Sequence, residues 1–229
     1  MFKKIISFFC VFIFGTNLVY AEINNEVIND FFSDTVFIGD SIVGDYNIFS
    51  STKDAGPAKN ALYLGAKSYS ISRALDTEDT KNHPIYRGLS ETPDQVIPKT
   101  GKNRVFISIG GNDVGSVGLD PTMAKYDKLI KKIYEKKPDA KIYIIGLTYI
   151  TKDGEDTYFN NKNYRIFNAR LKELCCRWNA TYINIGDRLT DSKGNLREDL
   201  SYDNQMHMKL DTYKIWNEII SDVFKAEIN

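Results

Sequence analysis

The chain predicts an α/β protein: a five-stranded parallel sheet with helices on both faces. Three observations lead there. Five short apolar runs, at about 35–39, 66–71, 104–109, 141–146 and 180–185, are rich in Val, Ile, Phe and Tyr, and several are too continuous to leave one face in water. Amphipathic helical patterns separate the later runs, and strands alternating with helices imply parallel pairing. Right-handed crossovers then leave few topologies, of which the flavodoxin-like order 2-1-3-4-5 is expected.

Each helix has its own signal. Pro121 to Lys136 opens on an Asp120-Pro121 cap and places Met123, Tyr126, Leu129, Ile130 and Ile133 on one stripe. Asn161 to Trp178 carries Phe167, Leu171, Leu174, Cys175 and Trp178 on one face. Leu210 to Phe224 turns Tyr213, Trp216, Ile219, Ile220 and Val223 inward. Two stretches, Gly44 to Leu64 and Asp76 to Thr100, are poorly periodic and long for plain connections, so at least one is expected to wall a substrate site.

Composition bounds the rest. A chain of 229 residues with 42% hydrophobic residues can bury one substantial core and is too apolar for disorder. A formal net charge of zero leaves no basic footprint for nucleic acid. Residues 1–21 read as a secretory signal peptide: Lys3 and Lys4, an apolar run from Ile5 to Phe14, then Val19-Tyr20-Ala21 before Glu22. The competing reading, a retained membrane anchor, needs about 20 apolar residues, more than this run supplies. One domain over 22–229 remains, extracytoplasmic, with no stable membrane span and expected as a monomer. Cys10 leaves with the signal. Cys175 and Cys176 are adjacent, so a bridge between them would be strained, and Cys175 falls on a core stripe. With two histidines and no further cysteine, no metal and no organic cofactor is called for.

The chemistry-bearing residues sit where strands end. Gly39-Asp40-Ser41 follows Thr35-Val36-Phe37-Ile38, and Gly110-Gly111-Asn112-Asp113 follows Val105-Phe106-Ile107-Ser108-Ile109. Open α/β sheets keep their ligands at those ends. Alone, each motif could be a turn or a helix cap. Together they place a hydroxyl nucleophile, Ser41, beside a carboxamide, Asn112, able to donate to a developing oxyanion. His207, just before the last helix and beyond strand five, is the expected base. The other histidine, His83, lies in an irregular stretch beside Pro84.

These residues resemble the SGNH, or GDSL-type, hydrolase superfamily. Gly39-Asp40-Ser41 resembles its first block, Gly110 to Asp113 its third, and Asn204 to Tyr213 with His207 its last, in order over nearly the whole mature chain. The resemblance implies a three-layer α/β/α fold, a Ser-His-Asp or Ser-His machinery, and three oxyanion donors: the Ser N–H, a Gly N–H and the Asn side chain. Two departures stand out. The family's Asp-x-x-His puts Asn204 where an Asp belongs, with Asp203 one residue off, so Asp203, Asn204 or a backbone carbonyl is left to orient the imidazole. The second-block Gly should end strand two. Counting along 66–71 puts Arg73 there, with Ser72 adjacent and Gly65 before the strand, so the Arg73 N–H is the expected donor and its side chain a candidate anion-attracting group.

The expected function is a secreted serine esterase that forms an acyl-enzyme on Ser41 and deacetylates O-acetylated glycan, the loop Thr148 to Asn163 supplying sugar-stacking groups such as Tyr149, Tyr158 and Phe159. The alternatives are a lipase, lysophospholipase or thioesterase with a long apolar groove, an acetyl transferase between glycans, and a non-catalytic binding protein on the same fold. The substrate is then a small-molecule or polysaccharide ester.

Overall fold

The computed structural model describes residues 26–79 and 81–228, so the signal-peptide expectation for 1–21 lies outside the described residues. Five parallel strands form one sheet: β1 (Thr35–Gly39), β2 (Leu62–Gly65), β3 (Arg104–Ser108), β4 (Lys141–Ile145) and β5 (Thr181–Ile183), in the order β2-β1-β3-β4-β5. This is the 2-1-3-4-5 order expected from the sequence. Alternation along each strand divides the core in two. Val36, Ile38, Val105, Ile107, Ile142 and Ile144 face one side, while Phe37, Phe106, Tyr143, Ile145 and Ile183 face the other.

The first side is covered by α2 (Ile71–Ala74), α3 (Pro93–Thr100), α5 (Leu119–Lys136) and α6 (Asn161–Trp178). The second is covered by α1 (Ser41–Ser50), α7 (Tyr213–Ile228) and a helical stretch at 26–33 that buries Phe31 and Phe32. On that side Phe106 stacks on Tyr143 with ring centroids 4.4 Å apart. A short helix, α4 (Gly111–Val114), follows β3 directly. The predicted stripe residues Tyr126, Leu129, Ile130 and Ile133 of α5 are buried, as are Phe167, Leu171, Leu174 and Cys175 of α6. Burial pushes the Cys175 thiol up to about 12, leaving it an inert core residue. Among the described residues no helix is long and apolar enough to cross a membrane.

Two expectations need correction. The second strand is Leu62–Gly65, not 66–71. Val36 to Gly39 pair with Leu62 to Gly65, and a Cβ on Gly65 would come within 2.5 Å of the Gly44 backbone nitrogen. Only glycine lets α1 cross the end of β2 that closely. The apolar residues further on, Tyr69 and Ile71, are buried by the turn that follows rather than by strand pairing. Gly44 to Leu64 is therefore less irregular than its pattern implies: it contains most of α1 and most of β2. The other irregular stretch, Asp76 to Thr100, holds a small hairpin, Ile85–Tyr86 with Leu89–Ser90, and α3.

Register sets up the site. Gly39 pairs with Gly65 on one side and Ser108 on the other, so three strands end level. Whatever follows each of them reaches the same rim.

Candidate active site

Ser41 opens α1 two residues beyond the end of β1. Asp40 is the helix N-cap, and its Oδ1 accepts from the Ile42 N–H at 3.0 Å, which fixes the strand-to-helix turn on which Ser41 sits. The Ser41 Oγ lies 2.9 Å from His207 Nε2. On the far side of the ring, His207 Nδ1 lies 2.6 Å from Asp203 Oδ2. A carboxylate can only accept, so Nδ1 carries the proton and Nε2 is left to accept from the serine hydroxyl.

Asp203, not Asn204, touches the imidazole. Its Oδ1 accepts from the N–H groups of Gln205 (2.8 Å) and His207 (3.1 Å) and from the Ser201 hydroxyl (3.0 Å). Partial burial would raise this carboxyl, but the hydrogen bonds from the imidazole, Gln205 and Ser201 outweigh it and hold the group below its ordinary value. Asn204 turns away at φ 55°, in the left-handed region that Asn tolerates, and its carbonyl accepts from the Thr151 hydroxyl at 2.6 Å. That single turn absorbs the extra residue between carboxylate and imidazole.

The oxyanion side comes from the ends of β2 and β3. Gly110 adopts φ 123°, and a Cβ there would strike the Phe167 ring at 2.7 Å, so the chain can turn into α4 only with glycine. The Asn112 side chain then donates one amide hydrogen to the Tyr69 carbonyl at 3.0 Å, and its second hydrogen has no acceptor among the described residues. Asp113, fully buried, accepts from the Ile71 N–H (2.7 Å), the Ser72 N–H (3.1 Å) and the Ser72 hydroxyl (2.7 Å). It thereby ties the loop after β2 to the turn after β3.

Arg73 is not brought to this site. It lies exposed in α2, and its N–H donates to the Ser70 hydroxyl as part of a helix cap. Arg73 misses the rim because the second strand ends at Gly65, several residues before the end of the apolar run at 66–71. With β2 ending at Gly65, the residue delivered to the rim is Ser68, which lines the cleft at φ 54°. Its N–H makes no hydrogen bond among the described residues. The only signal for it was the Gly65-Ala66-Lys67-Ser68 turn composition. His83 is engaged elsewhere, bridging the Tyr69 hydroxyl (2.8 Å) and the Asp76 carbonyl (2.9 Å).

Ser41, Ser68, Asn112 and His207 line one cleft of about 620 Å³. Its walls include Asp45 and Ile48 of α1, Tyr202 and Gln205 beside the histidine, and Thr148 and Phe159 from the loop after β4. Tyr149 of that loop instead points to Arg165, whose guanidinium carbon is 5.2 Å from the ring centre. Among the described residues no three His, Cys, Asp or Glu side chains are grouped to hold a metal ion.

Burial raises the Asp40 carboxyl to about 6 from an ordinary 3.8, against the opposing pull of the Ile42 N–H and His207. The native state thus disfavours the carboxylate, and stability is lost as pH rises from about 4 to about 6. A shift of about two units corresponds to about 3 kcal/mol. Asp40→Asn keeps an acceptor for Ile42 and removes this charge. Urea unfolding should show the variant gaining on the wild type by about that amount between pH 4 and pH 8. A difference that stays constant with pH would refute the assignment.

A three-layer α/β/α sheet carrying a serine, an imidazole and a carboxylate in relay defines a serine hydrolase by its parts. Residues 37–215 match the model of the GDSL-like lipase/acylhydrolase family, and the chain belongs to that family of ester-hydrolysing enzymes. Solved structures agree in fold. A GDSL-like lipase from Bacteroides thetaiotaomicron superposes with a TM-score of 0.62 at 13% identity, covering 84% of this chain and 88% of its own. A lipase/acylhydrolase from Enterococcus faecalis gives 0.59 at 15%, covering 84% and 95%. A carbohydrate acetylesterase from Sinorhizobium meliloti gives 0.56 at 12%, covering 84% and 98%. No curated protein matches the sequence.

Proposed function

We propose that this protein is an exported esterase that removes short acyl groups, acetyl foremost, from a glycan through an acyl-enzyme on Ser41. The observation that carries the chemistry is the unbroken relay Ser41 Oγ, His207 Nε2, His207 Nδ1, Asp203 Oδ2, at 2.9 and 2.6 Å. Ser41 Oγ attacks the acyl carbonyl as His207 Nε2 takes its proton. The resulting oxyanion is held by the Ser41 N–H, the Ser68 N–H and the free hydrogen of the Asn112 amide. Each such donor is worth about 10²–10³ in turnover. His207 returns the proton to the leaving alcohol oxygen. Water, activated by the same imidazole, then releases the acid and regenerates the serine.

The glycan half of the reading rests on the histidine side of the cleft. Tyr202 is 59% exposed and lies nearly parallel to the His207 ring, at 5.7 Å and 28°. Asp45 and Gln205 stand beside it. A flat aromatic with carboxylate and amide neighbours suits a sugar hydroxyl as leaving group better than an acyl chain or a lipid. Export rests on residues 1–21. The test is labelling with a fluorophosphonate probe followed by hydrolysis of O-acetylated polysaccharide. Labelling at Ser41 with acetate release is expected. A folded protein that takes no label would end the acyl-enzyme reading, and labelling without acetate release would end the glycan one.

A further inference from the structure

Three buried residues of the cleft carry hydroxyls with no partner among the described residues. Ser108 is the last residue of β3, Thr148 lies three residues beyond β4, and Tyr164 sits in the first turn of α6. They are 7%, 8% and 2% exposed, and all three line the cleft. None of their side-chain oxygens makes a hydrogen bond among the described residues. Hydroxyls that open on a cavity and lack a protein partner take their hydrogen bonds from water or from a bound polar group, so three together mark a wet wall of the cleft.

Their place relative to the chemistry follows from the reaction. The alcohol oxygen must lie beside His207 to receive its proton, so the alcohol occupies the side with Tyr202, Asp45 and Gln205. The carbonyl oxygen faces Asn112. The remaining substituent on the carbonyl carbon, the acyl chain, is left the part of the cleft lined from the ends of β3 and β4. Tyr164 marks that part: a Cβ on Gly111, the neighbour of Asn112, would lie 2.9 Å from the Tyr164 hydroxyl and 3.8 Å from Leu147 Cδ2.

We propose that Ser108, Thr148 and Tyr164 act as a chain-length gauge, three hydroxyls that admit an acetyl group and penalise longer apolar acyl chains. The inference rests on the acyl-enzyme reading of Ser41. A methyl group leaves room for water on the hydroxyls. Each methylene that reaches them displaces that water and offers no hydrogen bond in return, which costs about tenfold per stripped hydroxyl. Specificity is set here by repulsion of the wrong chain rather than by attraction of the right one.

The gauge is tested with p-nitrophenyl acetate, butanoate and octanoate, which share a leaving group, on the wild type, Tyr164→Phe, Thr148→Val and the double variant. Each substitution keeps side-chain volume and removes a hydroxyl that makes no hydrogen bond among the described residues. The wild type should favour acetate in kcat/KM. The double variant should raise the octanoate-to-acetate ratio by about 10- to 100-fold, mainly through a lower KM for octanoate. Should the double variant fail to fold, Ser108→Ala and the single variants carry the same comparison. Variants that hydrolyse acetate with an unchanged ratio overturn the gauge while leaving the esterase reading intact. A wild type that labels with fluorophosphonate yet prefers octanoate overturns the gauge. A wild type that hydrolyses none of the esters and takes no label overturns both.

Discussion

Ser41→Ala is expected to lower the turnover of p-nitrophenyl acetate by about 10⁶-fold, the loss seen when an acyl-enzyme nucleophile is removed from an intact relay. The substitution is clean. Among the described residues Ser41 Oγ has one side-chain partner, His207 Nε2, and the capping of α1 is done by Asp40 rather than by Ser41. The turn, the cleft and the oxyanion donors therefore survive. Thermal unfolding should move by no more than about 0.5 kcal/mol, the scale for substitutions away from buried networks. The remaining rate should be above that in water, because positioning and the oxyanion donors persist without the nucleophile. KM should change little, since the acyl and alcohol sites are untouched. A variant retaining more than about one per cent of wild-type kcat, far above the residue this mechanism allows, would show that another group attacks the ester. His207→Ala should be equally slow, because the two side chains act as one unit.

Much of this site was legible in the sequence because its parts follow strong strand signals. Ser41 stands two residues past an unbroken apolar run, and Asn112 follows a five-residue run by way of two glycines, so both could be placed at strand ends without knowing the packing. His207 was legible by elimination, since the chain has only two histidines and the other falls in an irregular stretch. The second oxyanion position was not legible. β2 has only four residues and begins on partly covered positions, while Tyr69 and Ile71 beyond it are fully buried, so hydrophobicity pointed to the wrong segment. A strand misplaced by a few residues moved the expected donor from Ser68 to Arg73. The choice between Asp203 and Asn204 hung on one dihedral angle: φ 55° at Asn204 makes room for a four-residue spacing, and no periodicity reports a single left-handed residue. The hydroxyl set of Ser108, Thr148 and Tyr164 was hidden for a different reason. It is spread over a strand, a loop and a helix, and only the tertiary fold assembles it.

Asp203→Asn should reduce kcat by about 10⁴-fold while Asn204→Gly costs no more than about threefold, although the two residues are adjacent. The carboxylate does two things that an amide cannot. It accepts from Nδ1, which holds the ring in the tautomer whose Nε2 can take the serine proton, and it carries the negative charge that stabilises the imidazolium formed during attack. An Asn offers an NH₂ to the ring as readily as a carbonyl, so the ring can settle with Nδ1 as acceptor and Nε2 protonated, unable to act as base. The backbone contacts should persist, because an amide oxygen can still accept from Gln205 and His207 N–H. Turnover should then fall without loss of fold. At position 204 the requirement is conformational, and glycine meets φ 55° without strain. The relay predicts strong non-additivity as well. Once Ser41 is alanine there is no proton for the imidazole to accept, so Ser41→Ala with Asp203→Asn should be about as slow as Ser41→Ala alone. A double variant slower by the full product of the two single losses would mean that Asp203 acts outside this relay. An Asp203→Asn enzyme within about tenfold of wild type, against the 10⁴ expected of a lost triad carboxylate, would mean that the imidazole needs no carboxylate and works as a dyad with Ser41.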